Sequence, residues 1–97
     1  MHYSIYQLPA EHDLCFMRHS YAEKHGGVKI PDYRTVYTGQ IDATGKTPAQ
    51  ILEDLYVKFN IDHPADYTGR SLSVSDLVVL EDTGTYFCDS FGWKQIN

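Results

Sequence analysis

Cysteine is scarce in this chain: only Cys15 and Cys88, far apart and outside any C-x-x-C pair. That spacing matches no zinc-finger pattern. It fits a cytoplasmic setting in which both thiols stay reduced and Cys88 at least is buried as a small apolar residue. Long apolar runs are missing too, so no segment reaches the length of a membrane-spanning helix. Met1-His2-Tyr3-Ser4 lacks the basic start and apolar core of a secretory signal, which again leads to a cytoplasmic expectation. Repeats, low-complexity tracts and linkers are absent. A chain of 97 residues is then a single domain, residues 1–97, large enough to fold without staples.

Basic residues are the other shortage. Eight Lys and Arg stand against thirteen Asp and Glu, a formal net charge of −5. Residues 1–48 are balanced, five against five; residues 49–97 hold three against eight and carry the whole excess. A negative field repels phosphate backbones, so no direct nucleic-acid partner is expected. The same field suits basic protein surfaces, including those that themselves bind nucleic acid. The plainer reading of the same charge is solubility. Aromatic residues are plentiful by contrast: 8 Tyr, 4 Phe and 1 Trp. Tyrosine joins apolar area to a hydroxyl that needs water or a partner, which suits strands and interfaces alike.

Residues 71–93 organise the chain. Leu72 and Val74 alternate with Ser71, Ser73 and Ser75, the period of a half-buried strand. Leu77-Val78-Val79-Leu80 is an unbroken apolar run suited to a strand buried on both faces. Glu81-Asp82-Thr83-Gly84 is a turn signature, and Thr85 to Cys88 returns as a second β-rich run, giving an antiparallel hairpin. Upstream, Tyr3 to Leu8 reads as a strand ended by Pro9. Residues 11–18 hold an apolar clump that periodicity assigns to neither helix nor strand. A short helix is expected at about 20–25, capped by Ser20 with Glu23 and stopped by Gly26-Gly27. Tyr33 to Ile41 alternates as a strand. Thr47-Pro48-Ala49-Gln50 is a capping box with proline at the first helical position. Ile51, Leu52, Leu55, Tyr56 and Phe59 follow at helical spacing, so a helix over about 48–59 packs on the sheet holding Val78 and Val79. The fold class is α+β, a small mainly antiparallel sheet with one packed helix and a shorter second one.

The chemistry-bearing patterns are weak. Gly45-Lys46-Thr47 resembles the end of a phosphate loop, but position 40 is Gln where the motif needs glycine, and a capping Thr47 explains the triplet. Five histidines share no ligand spacing. Cys88 alternates within an aromatic strand as a core residue does, and Ser71, Ser73 and Ser75 read as the solvent side of their own strand rather than as nucleophiles. No catalytic, cofactor-binding or metal-ligating residue is assigned, and the expectation is a non-enzyme. Asp76 fits a local cap that bends the chain before the buried strand. The candidate partner contacts are Asp76, Glu81, Asp82, Asp89, Phe91 and Trp93. The acidic members suit a basic surface; Phe91 and Trp93 are candidate aromatic anchors, with core closure the preferred reading of Trp93.

Asn60-Ile61-Asp62-His63-Pro64, Ser71 to Leu80 and Tyr86-Phe87-Cys88-Asp89-Ser90-Phe91-Gly92-Trp93 together resemble the YodL-like domain. Tyr37-Thr38-Gly39 and Lys58-Phe59-Asn60 are similar as well, so the likeness spans about residues 33–96. Leu77 stands where a valine is common, and the Glu81–Thr85 turn is shorter than usual. The resemblance implies a cytoplasmic accessory protein of a mobile element of Gram-positive bacteria, without an agreed catalytic site, acting by binding a host or element-encoded protein. The expected role is a non-enzymatic inhibitor or modulator, with an anti-CRISPR action on a nucleic-acid-handling host protein as its sharpest form. The alternative is a docking or regulatory domain for proteins of a conjugative element or of the cell-shape cytoskeleton.

Overall fold

Leu77-Val78-Val79-Leu80 is the middle of a five-stranded antiparallel sheet. The computed structural model describes all 97 residues. Its strands are β1 (His2–Gln7), β2 (Arg34–Gln40), β3 (Leu77–Leu80), β4 (Gly84–Cys88) and β5 (Trp93–Gln95). The helices are α1 (His19–Lys24) and α2 (Pro48–Ile61), with a 3₁₀ turn at Ile30–Asp32. Sheet order is β2-β1-β3-β4-β5, so β3 has a strand on each side. A run of four apolar residues fits that position, because both of its faces are covered: Leu77, Val78 and Leu80 are buried and Val79 is half-buried.

Pleating divides the sheet into two faces. Tyr3, Ile5, Val78, Leu80 and Tyr86 meet α2 through Ile51, Leu52, Leu55 and Phe59. Each fully buried aliphatic or aromatic side chain of this kind stabilises by about 1.5–3 kcal/mol. The helix begins where its sequence says it must. Thr47 Oγ1 accepts the Gln50 N–H at 3.2 Å, and Gln50 Oε1 accepts the Thr47 N–H at 2.8 Å, closing the capping box. It runs two residues past the expected Phe59, to Ile61. The helix packs on the sheet holding Val78 and Val79, as expected; Val78 faces it, and Val79 points to the other side. On that second face Leu8, Leu14, Cys15 and Ala22 form a smaller cluster with Tyr21, Val28 and Tyr33. His19 of α1 stands edge-on to Phe87 with ring centroids 5.1 Å apart.

Two further local expectations change. Residues 71–75 are not a strand: Asp76 N–H donates to the Ser73 carbonyl at 3.0 Å and Ser75 has φ +86°, so Ser73–Asp76 is a tight turn. Ser75 N–H donates to the Cys88 carbonyl and Cys88 N–H to the Asp76 carbonyl, both at 2.9 Å. Two residues thus oppose one, a bulge of the type whose first residue is left-handed. The period-two serines are satisfied by a turn that leaves Leu72 buried. At α1 the N-cap is Arg18, without a side-chain cap, and Ser20 lies inside the helix. Asp89–Gly92 is a turn, with Asp89 N–H donating to the Gly92 carbonyl at 3.0 Å, and it separates Phe91 from the last strand.

Val78 is 0% exposed between β1 and β4 and faces α2. Val78→Asp would place an unpaired carboxylate there and is expected to abolish cooperative unfolding near neutral pH, a loss of roughly 4 kcal/mol or more. Circular-dichroism melts check it; a native melting curve would show that β3 is misplaced.

Candidate functional site

One end of the sheet gathers most of the unusual chemistry. There the start of β3, the end of β4, the Asp89–Gly92 turn and residues 14–19 meet. Asp76 is 0% exposed. Its Oδ2 accepts the Ser73 N–H at 2.8 Å and the Gln7 Nε2 at 3.0 Å, while Oδ1 is buried without a partner. Gln7 Nε2 also reaches the Arg70 carbonyl at 3.0 Å, and Gln7 Oε1 accepts the Arg70 N–H at 3.1 Å. The Tyr67 hydroxyl donates to the same carbonyl. Arg70 does not pair with the carboxylate. Its terminal nitrogen donates to the Leu8 carbonyl at 2.8 Å, and Cys15 Sγ lies 3.5 Å away.

Burial governs the titration of this end. It pushes the Asp76 carboxyl up to about 7 from 3.8, and the hydrogen bonds from Ser73 and Gln7 and the charge of Arg70 recover only part of the shift. Burial likewise raises the Cys15 thiol, and it raises Cys88 to about 12. Both cysteines therefore remain protonated at neutral pH, the wrong state for a nucleophile. No group of three His, Cys, Asp or Glu side chains is arranged to hold a metal ion.

Two residues at this end adopt a backbone that L-amino acids rarely take. Phe16 has φ +68° and Ser75 has φ +86°; a left-handed non-glycine residue costs on the order of 1–3 kcal/mol. They are joined, since Phe16 N–H donates to Ser75 Oγ at 2.9 Å. The strain holds a half-exposed phenyl ring over Arg70, whose guanidinium carbon lies 5.1 Å from the ring centroid.

The surface beside this network carries part of the expected contact set. Asp89 Oδ1 accepts the His19 N–H at 3.1 Å and the Ser90 N–H at 2.8 Å, pinning the Asp89–Gly92 turn to the first turn of α1. Phe91 stands at the tip, 96% exposed. Trp93 is half-buried against the α2 core and lies opposite Cys88. Between that turn and α2 is a cleft of about 170 Å³ lined by Glu53, Tyr56, Asp89 and Trp93, with Cys88 and Ser90 also contributing. Neither Glu53 nor Asp89 is ion-paired; Asp54, next to Glu53, is bound by Lys46 at 2.7 Å.

Asp76, Asp89, Phe91 and Trp93 thus share one end, but Asp76 is sealed and cannot touch a partner, which corrects its place among the contacts. Glu81 and Asp82 are exposed at the opposite end of the β3–β4 hairpin. The four residues of β3 separate them from this site by about 13 Å. Sequence reasoning missed Phe16, Glu53 and Tyr56. Only the one-turn spacing of Glu53 and Tyr56 on α2 signalled a shared position, and Tyr56 had been assigned to the core face. A larger recess of about 620 Å³ opens on the second sheet face, where Tyr6, His19, Glu23 and Val79 are among its walls. His19 Nε2 lies 3.5 Å from Glu23 Oε1 there.

The family model of the YodL-like domain matches residues 2–97, extending the likeness from about residue 33 back through the 3₁₀ turn, α1 and β1. No curated protein and no solved structure matches the chain.

The raised Asp76 pKa has a direction. Between about 3.8 and about 7 the folded state holds a proton that the unfolded chain has released, so this group's contribution to stability falls as pH rises through that window and is level above it. Asp76→Asn removes the titration, and the melting temperature of the variant relative to wild type is expected to climb from pH 4 to pH 7. Parallel melting curves across that range would refute burial of Asp76 as the source.

Proposed function

We propose that this chain, which belongs to the YodL-like domain family over residues 2–97, is a non-enzymatic protein-binding module that inhibits or modulates a partner with a basic surface. Phe91 carries the reading. A phenyl ring 96% exposed on a turn pinned by Asp89 contributes nothing to the core, and rigid aromatic side chains of this kind act as binding anchors. The unpaired carboxylates of Glu53 and Asp89 beside it give that surface its sign, and complementary charge speeds encounter with a cationic partner. The protonated state of both buried thiols supports a binding role over covalent chemistry, and their free, unbridged state suits a cytoplasmic setting. In its sharpest form the partner is a nucleic-acid-handling host protein, and the chain is a mobile-element product acting against host defence.

Affinity capture from a bacterial lysate, followed by mass spectrometry, tests this. Wild type is expected to retain a basic protein at low salt and release it at high salt. Phe91→Asp is expected to lose it by about tenfold or more while melting as wild type does, because the side chain is exposed. Capture that responds to neither salt nor Phe91 would refute the reading. A nuclease among the captured proteins supports anti-defence action; a conjugation or cytoskeletal protein supports the docking role instead.

A further inference from the structure

The cleft between α2 and the Asp89–Gly92 turn has a lining that selects one kind of side chain. Tyr56 and Trp93 supply aromatic rings; Glu53 and Asp89 supply carboxylates. Glu53 and Tyr56 are three residues apart on α2 and so lie on one helix face. Asp89 is held from behind by two main-chain N–H groups on the same oxygen, Oδ1, and Oδ2 has no protein partner. No Lys, Arg or His of the chain lines the space. Lys46 is engaged with Asp54 at 2.7 Å. Lys94 is turned away, because it pairs across the strands with Phe87 on the other sheet face, whereas Trp93 pairs with Cys88. The cleft therefore joins π faces to negative charge and leaves both without a cation.

We propose that this cleft seats the guanidinium of one arginine side chain presented by the basic partner. The assignment rests on the protein-binding reading above. Size supports it: about 170 Å³ is the space of five or six waters, enough for a guanidinium and the end of its stem but below the roughly 300–1,000 Å³ of small-molecule pockets. Chemistry favours arginine over lysine. A planar, weakly hydrated guanidinium stacks on aromatic rings and forks its N–H donors to two carboxylates, where an ammonium is a strongly hydrated point charge. The exposed ring of Phe91 lies on the turn beside the cleft, so anchor and cation site would engage one partner segment together.

Trp93 is the only tryptophan, so its emission reports on this cleft and on the adjoining recess of about 400 Å³ that it shares with Pro48, Leu52 and Tyr86. The probes are acetylated, amidated Gly-X-Gly peptides in which X is arginine, lysine or citrulline, titrated into the full chain. The arginine peptide is expected to change Trp93 emission saturably, the lysine peptide to bind several-fold more weakly, and the neutral, isosteric citrulline peptide to give no saturable change. Glu53→Gln is expected to weaken the arginine peptide by about fivefold to tenfold without moving the melting temperature, since Glu53 makes no hydrogen bond or ion pair within the protein. Equal responses to arginine and citrulline, an unchanged affinity in Glu53→Gln, or no saturable response would overturn the assignment. Should the arginine peptide fail while Phe91→Asp still abolishes capture, the cleft assignment falls and the protein-binding reading stands. Arginine binding without any captured protein would do the reverse.

Discussion

The carboxyl group of Asp76 ties this fold together. By accepting the Ser73 N–H and the Gln7 side-chain amide it closes the turn that feeds β3 and fastens that turn to the end of β1. The turn in turn sets Ser75 in the left-handed region, where its hydroxyl takes the Phe16 N–H and its carbonyl accepts the Tyr33 hydroxyl at 2.7 Å. One buried acid thus secures residues 7–16, the Tyr67–Asp76 loop and the mouth of the central hairpin. The arrangement costs ionisation. Desolvation outweighs the neighbouring guanidinium, which turns one terminal nitrogen to Leu8 and Cys15, leaves its Nε without a partner and makes no ion pair with Asp76.

What the sequence discloses about the fold follows the range of the interactions. The Thr47–Gln50 capping box and the β3–β4 hairpin were legible because each is encoded by neighbours: a cap with its third residue, an apolar run with its turn. Sheet order was not, since it depends on partners such as Tyr3 and Leu80, distant along the chain and brought together only by folding. Ser71–Ser75 misled for a physical reason: alternating serines satisfy the strand period, but a carboxylate three residues past Ser73 offers the backbone a competing turn. Ser20 misled likewise, because a capping residue is set by where the chain enters the helix, and here that is Arg18.

The candidate site shows the same division. Asp89, Phe91 and Trp93 stood out as a contiguous aromatic and acidic run, and they do meet. Glu53 and Tyr56 complete their cleft from a helix some thirty to forty residues earlier, a contact that no local pattern encodes. Phe16 was least legible of all. Aromatic residues avoid positive φ, so its conformation is imposed by the Ser75 hydroxyl and the Arg70 guanidinium rather than by its own preference.

Net charge is consequently a poor guide to where recognition resides. Of the acidic residues that give the second half its excess, Asp76 is sealed and Asp54 is neutralised by Lys46. Glu81 and Asp82 lie at the far end of the hairpin, about 13 Å from the Asp89 turn and beyond the roughly 8 Å screening length of physiological salt. Their field can orient an approaching basic surface, which acts on the rate of encounter. Glu53 and Asp89 differ in kind: they share a cleft with the Tyr56 and Trp93 rings, so a cation seated there would gain short-range contacts that act on the rate of departure. On the proposed protein-binding reading, the distribution separates steering from holding, with the pinned turn that presents Phe91 supplying the second.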